Sequence, residues 1–210
     1  MRSKNCQECT RLRIAQDRPV RDPAEARVLE VARLLCSNFY RVVDDQFKSY
    51  CVLTSTITQA ALAHYAIEST LLPCQMVHIT DESAHFVGFS GRPLANQWDG
   101  HVVVLVRHLL LDFAVGSLSR YHGIKAPRTV IACQLPIRSN LIARVGMGDG
   151  RRLLWVNPPP DADPKPPPTS DDLVKHWTGR LIERLSDAVH APEVDEAGPF
   201  HPLDDIWFSV

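Results

Sequence analysis

A cysteine, a histidine and an aspartate follow one another along this chain in settings that suit an activated sulfur nucleophile: Cys51 in SYCVLTS, His101 in WDGHVVVLV and Asp112 in LLLDFAVGS. In that chemistry a thiolate attacks a carbonyl carbon, an imidazole takes and returns the proton, and a carboxylate orients the ring. Cys51 opens the stretch VLTSTITQAALAHYAIEST, which has no Gly or Pro before Pro73 and reads as a helix with Ser49 as its N-cap. A thiol in a first helical turn sits beside unpaired backbone N–H groups and the positive end of the helix dipole, which favour the thiolate. The same N–H groups can hold the oxyanion of an attacked carbonyl, so the scheme calls for no metal and no other cofactor.

The elements that must position these groups begin with a hairpin. Residues 102–106 and 109–115 are both β-branched and aliphatic, with Arg107 and His108 as the polar break between them. An even loop gives cross-strand partners whose numbers sum to an odd value. His101 and Asp112 then project from one face, opposite or one diagonal apart, within reach of each other. An odd loop would put them on opposite faces. Each residue also has a plain structural reading, Cys51 as a small core residue and His101 as a satisfied strand-start histidine. Asp112 resists that reading, because a carboxylate inside an aliphatic run needs a partner or water.

The order and setting of Cys51, His101 and Asp112 resemble the papain-like superfamily of cysteine enzymes, within it the transglutaminase-like branch, over roughly residues 45 to 120. Arylamine N-acetyltransferases share the same order. The resemblance implies an α+β fold in which a Cys-bearing helix packs on an antiparallel β-sheet. It also implies a cysteine-dependent acyl transfer through a thioester acyl-enzyme, on a peptide, protein or small amide, ester or thioester. Hydrolysis, transamidation and acetyl transfer stay open, as does an inactive scaffold that serves as an interaction module. The backbone N–H of Cys51 is the first oxyanion donor to consider, and Gln46 is a second, since papain-like enzymes use an upstream Gln. Tyr50 and Trp98 are candidates for the substrate groove, with Trp98 equally readable as packing at the sheet end.

Composition frames the site. The chain has 210 residues, 45% of them apolar, enough for one well-packed domain with decorations. With 23 basic and 24 acidic side chains the net charge is −1, so no global field draws nucleic acid or an anionic membrane. No apolar run is long enough to span a bilayer and the start MRSKNCQECT has no signal-peptide core, so the expectation is a cytoplasmic protein with free thiols.

Residues 1–21 carry six Lys and Arg without apolar periodicity and read as a mobile basic arm. Cys6 and Cys9 form a CxxC there, but no second pair completes a tetrahedral zinc site; Cys74 with His78 or His85 reads as core packing in a strand-like run. The expected catalytic domain covers 22–157. It starts with a helix signalled by Asp22, Pro23 and Glu25 as N-cap, first-turn proline and capping-box partner, with Val28, Val31, Ala32, Leu35, Cys36 and Phe39 facing the core. Residues 75–80 and 85–89 read as short strands and 128–134 as another, while RVGMGDGRRLLWVN reads as a hairpin turning at Gly148, Asp149 and Gly150. Residues 158–169 form a Pro-rich linker or surface strap. Residues 170–210 read as a C-terminal helical extension, capped by Thr169 or Ser170, with Leu173, Val174, Trp177, Leu181, Leu185 and Ala188 as its apolar stripe. That helix, or the apolar IWFSV end, is expected to dock on the same molecule or on a protein partner.

Overall fold

The computed structural model describes residues 23–48, 50–89, 98–136, 140–147, 150–190 and 206–209, with side chains given for all of these but 187–190 and 206–209. In chain order the elements are α1 (Pro23–Val42), α2 (Cys51–His64), β1 (Thr70–Ile79), β2 (Ala84–Val87), β3 (His101–Val106), β4 (Leu109–Asp112), α3 (Ser117–His122), β5 (Thr129–Cys133), β6 (Leu141–Gly146), β7 (Arg152–Val156), α4 (Asp171–His190) and β8 (Ile206–Ser209). The fold class is α+β. The strands join in the order β6-β7-β1-β3-β4-β5-β8, with β2 also paired to β1. Every pairing is antiparallel except β5 with β8, which run parallel.

The sheet curls towards closure, bringing β6 against β5 and β8. It therefore has an outer face covered by helices and an inner face that packs on itself. Val104, Val106, Leu109, Leu111 and Ile131 point outward into a core shared with α1, α2 and α4. Val103, Leu110, Val130 and Ala132 point inward, against Met76, Ala143, Leu153 and Trp155. Burial on both faces explains why β3 and β4 read as unbroken aliphatic runs instead of alternating ones.

Strand β1 serves both halves of the curl. Residues Thr70 to Cys74 pair with β3, while Gln75 to Ile79 pair with β7. Pro73 falls in the half whose one recorded partner strand is β3, where a missing N–H is tolerated. The helical run thus ends at His64, and β1 starts at Thr70, earlier than the sequence pattern suggests.

Helix α1 forms where the periodicity places it, and its stripe Val28, Val31, Ala32, Leu35, Cys36 and Phe39 is buried. Glu25 is buried and its Oε1 lies 3.0 Å from Nε2 of His108 in the β3–β4 turn. Asp22 lies outside the described residues.

The C-terminal part is integral to the domain. Helix α4 packs on α1 and α2, burying Trp177, Leu181 and Leu185 in the shared core. Ser170 caps it by accepting the Leu173 N–H at 3.4 Å, and β8 extends the sheet beside β5. Among the described residues no helix is long and apolar enough to cross a membrane.

Candidate active site

The β3–β4 turn holds two residues. Val106 pairs with Leu109, Leu105 with Leu110 and Val104 with Leu111. Arg107 adopts a left-handed φ of 55°, as a tight hairpin turn requires. His101 and Asp112 consequently share the inner face one diagonal apart, and Nε2 of His101 lies 2.6 Å from Oδ2 of Asp112. Both side chains are buried, His101 2% exposed and Asp112 0%.

Asp112 ends β4. Its Oδ1 accepts the Ala114 N–H at 2.9 Å, a local turn that takes the chain out of the strand three residues before the aliphatic run ends. Its Oδ2 also accepts the indole N–H of Trp155 on β7 at 2.8 Å. A buried carboxylate with three partners satisfies the requirement that such a charge be paired and hydrogen-bonded. Trp155 is the site residue that sequence reading missed. The available signal was a lone Trp in the strand RLLWV, since a buried indole N–H nearly always finds an acceptor.

Cys51 is the first residue of α2 and half-buried. Tyr50 occupies the N-cap position without a side-chain capping bond, and Ser49, the expected cap, lies outside the described residues. The helix is locked to the sheet instead by Ser55, whose hydroxyl donates to the Val102 carbonyl at 2.8 Å in the buried interior. That contact holds the start of α2 over the start of β3. The Cys51 thiol donates to the Gly100 carbonyl oxygen at 3.7 Å, and Cys51 is one of the groups that raise the His101 pKa. Because Asp112 occupies Nε2, Nδ1 is the nitrogen left for sulfur.

The electrostatics of His101 follow from this arrangement. Burial alone would favour the neutral ring. The charge of Asp112 and its hydrogen bond outweigh burial, Cys51 adds to them, and the pKa rises from 6.5 to about 10. Cys74, whose backbone pairs with that of His101, is fully buried; burial, then the negative charge of Asp112 and the proximity of Cys51, push its thiol well above the ordinary value. It packs behind the site as a neutral thiol.

A glycine clamps the other side of His101. Gly88 has a φ of +79°, and a Cβ there would come 2.6 Å from the His101 backbone nitrogen. The adjoining backbone is fixed by Gln75, whose amide donates to the Gly88 and Phe89 carbonyls at 2.9 and 3.0 Å. Trp98 is half-buried, with its ring against Gly100 so closely that any Cβ at Gly100 would collide with it. It meets Phe89 edge-on at 5.7 Å, and its indole donates to the Asp163 carbonyl of the Pro-rich segment at 3.2 Å. Tyr50 is 57% exposed beside the start of α2, and Gln46 is exposed on the turn before it.

His78 and His85 face each other across β1 and β2, and among the described residues no three His, Cys, Asp or Glu side chains gather to hold a metal ion. Cys6 and Cys9 lie outside the described residues.

No protein family matches the chain, and no curated protein matches it. A crystal structure described only as a genomics target is similar over 80% of each chain at 10% identity and a TM-score of 0.33, a level that carries no argument.

Proposed function

We propose that this protein is a cysteine-dependent acyl-transfer enzyme of papain-like or transglutaminase-like build, with Cys51 as nucleophile, His101 as base and then acid, and Asp112 as orienting carboxylate. The observation that carries the reading is the buried 2.6 Å His101–Asp112 pair beside a cysteine at a helix start. In the proposed reaction the thiol proton already rests on His101 before substrate arrives, as a thiolate–imidazolium pair, and sulfur attacks the carbonyl carbon of an amide, ester or thioester. The oxyanion is held by the backbone N–H groups opening α2, the Cys51 N–H first. Collapse of the tetrahedral species expels the leaving group, protonated by His101, and leaves a thioester on Cys51. Water or an amine, deprotonated by the same ring, then releases the acyl group. A histidine that favours its protonated form supports this resting pair and supplies the proton that the leaving group needs.

The test is the pH dependence of iodoacetamide alkylation at each cysteine, read by peptide mass spectrometry on the native protein and on His101→Ala. Rapid labelling of Cys51 well below the ordinary thiol pKa of about 8.5, lost without His101, is the expected result. Labelling of Cys51 that is unchanged in His101→Ala removes the thiolate–imidazole pair. A silent Cys51 leaves the scaffold as a binding module.

A further inference from the structure

Strand β7 carries the side chain that ties Asp112 to the far side of the curled sheet. Trp155 is fully buried, and its direct neighbours across the ladders, Met76 on β1 and Ala143 on β6, are fully buried as well. Filling this part of the inner core asks only for a large apolar side chain, which Phe or Leu would supply. The indole brings one polar group in addition. In surroundings that are otherwise apolar, its Nε1–H lies 2.8 Å from a carboxylate oxygen. A donor and a charge interact strongly where the local dielectric is low, and a buried indole N–H without that acceptor would be a cost.

Which oxygen accepts has a consequence for the proton between Asp112 and His101. Oδ1 takes the Ala114 N–H at 2.9 Å, while Oδ2 meets both the His101 ring at 2.6 Å and the indole at 2.8 Å. The three partners sit on β3, on the turn after β4 and on β7, so the carboxylate cannot rotate without breaking a bond. Sharing Oδ2 also spreads its negative charge over two donors. A hydrogen bond given to a charged form favours that form, so the indole favours the carboxylate over the carboxylic acid. The proton then stays on Nε2 of His101 and is not drawn onto Oδ2.

We infer that Trp155 is a positioning residue of this site: its indole N–H keeps Asp112 oriented and ionised, and thereby keeps the positive charge on the His101 ring. Its influence on Cys51 is indirect, passing through Asp112 and His101 in turn. The bearing on catalysis rests on the acyl-transfer reading. The placement of the proton does not, since it concerns the buried pair alone.

The test uses Trp155→Phe in the full chain, which removes the donor and keeps an aromatic ring in the core. The first readout is proton NMR of the Nε2 proton between His101 and Asp112. Its resonance is expected to persist and to move downfield, because Oδ2, relieved of its second donor, draws the proton closer. A purely structural role predicts a resonance that is unmoved, moves upfield or is lost to exchange as the carboxylate loosens, and any of these overturns the inference. The second readout is the pH profile of Cys51 alkylation by iodoacetamide. With less positive charge left on the ring, its acidic limb is expected to move up by about one pH unit, so labelling on that limb slows about tenfold, the size of one hydrogen bond to a charged group. An unmoved limb also counts against Trp155. A native Cys51 that never labels would sink the acyl-transfer reading instead, and the NMR readout then decides the inference alone. If Trp155→Phe does not fold, the native protein supplies the measurement. As His101 loses its proton near its pKa of about 10, the Trp155 indole proton is expected to move downfield, because Oδ2 is freed to bond it more strongly. An indole proton indifferent to that titration refutes the role.

Discussion

Replacing Asp112 with Asn keeps the shape of the buried site and removes the charge that governs His101. In the native protein that carboxylate overcomes the penalty of burying an imidazolium and carries the ring from 6.5 to about 10. At 1.36 kcal/mol per pKa unit, this is on the order of 5 kcal/mol of preference for the charged ring. The sign for stability follows directly. Between pH 6.5 and 10 the folded protein keeps a proton on His101 that the unfolded chain has lost, so the stabilisation is complete below about 6.5 and is given up as pH rises towards 10. From pH 6 to pH 9 the loss comes to about 3 kcal/mol. In Asp112→Asn burial is opposed only by the smaller contribution of Cys51, the His101 pKa falls, and that decline shrinks. Urea unfolding of both proteins across this range reads the effect, since Cys74, the other group that the Asp112 charge shifts, is held neutral chiefly by its burial, and imidazole NMR reports the ring itself. Stability curves that run parallel from pH 6 to 9, or a native His101 that titrates near 6.5, would refute the reasoning.

Gly88→Ala should destabilise the domain by about 1–3 kcal/mol in urea unfolding, since a Cβ would meet the His101 backbone nitrogen at 2.6 Å in a left-handed conformation. Leu181→Ala should cost about 2–5 kcal/mol by emptying a fully buried position between α4 and the other helices; a loss below about 1 kcal/mol would mean that α4 contributes little to the core. Cys36, its thiol pushed up to about 12 by burial against a smaller lowering from Thr129, should stay unmodified by a thiol reagent at pH 8 in the native protein, and so should Cys74. Mass spectrometry that finds either labelled without denaturant would contradict their packing.

Much of the candidate site was legible because its signals are local. The polar pair Arg107–His108 between aliphatic runs determines the parity of the hairpin, and parity places His101 and Asp112 on one face. The helical stripes of α1 and α4 were readable for the same reason, since each repeats within a few turns. Where local signals compete, the reading fell short. The run 109–115 is aliphatic enough to continue as a strand, yet the Asp112 carboxylate captures the Ala114 N–H and ends it. Helix α3 is six residues long, too short for periodicity to show, and it closes on Gly123 with a left-handed φ of 65°.

By itself the sequence determined which residues could do chemistry, which helices have a face to bury, and which two side chains one hairpin must bring together. The tertiary structure decided what surrounds them. Trp155 reaches Asp112 from 43 residues away because the sheet curls β7 over the inner face, and no pattern along one strand encodes that curvature. The Ser55 bond that sets α2 over β3, and the approach of Arg128 to the Tyr40 ring, are likewise contacts between distant segments. Periodicity specifies a face within an element; only the packing of elements against one another specifies which groups that face will meet.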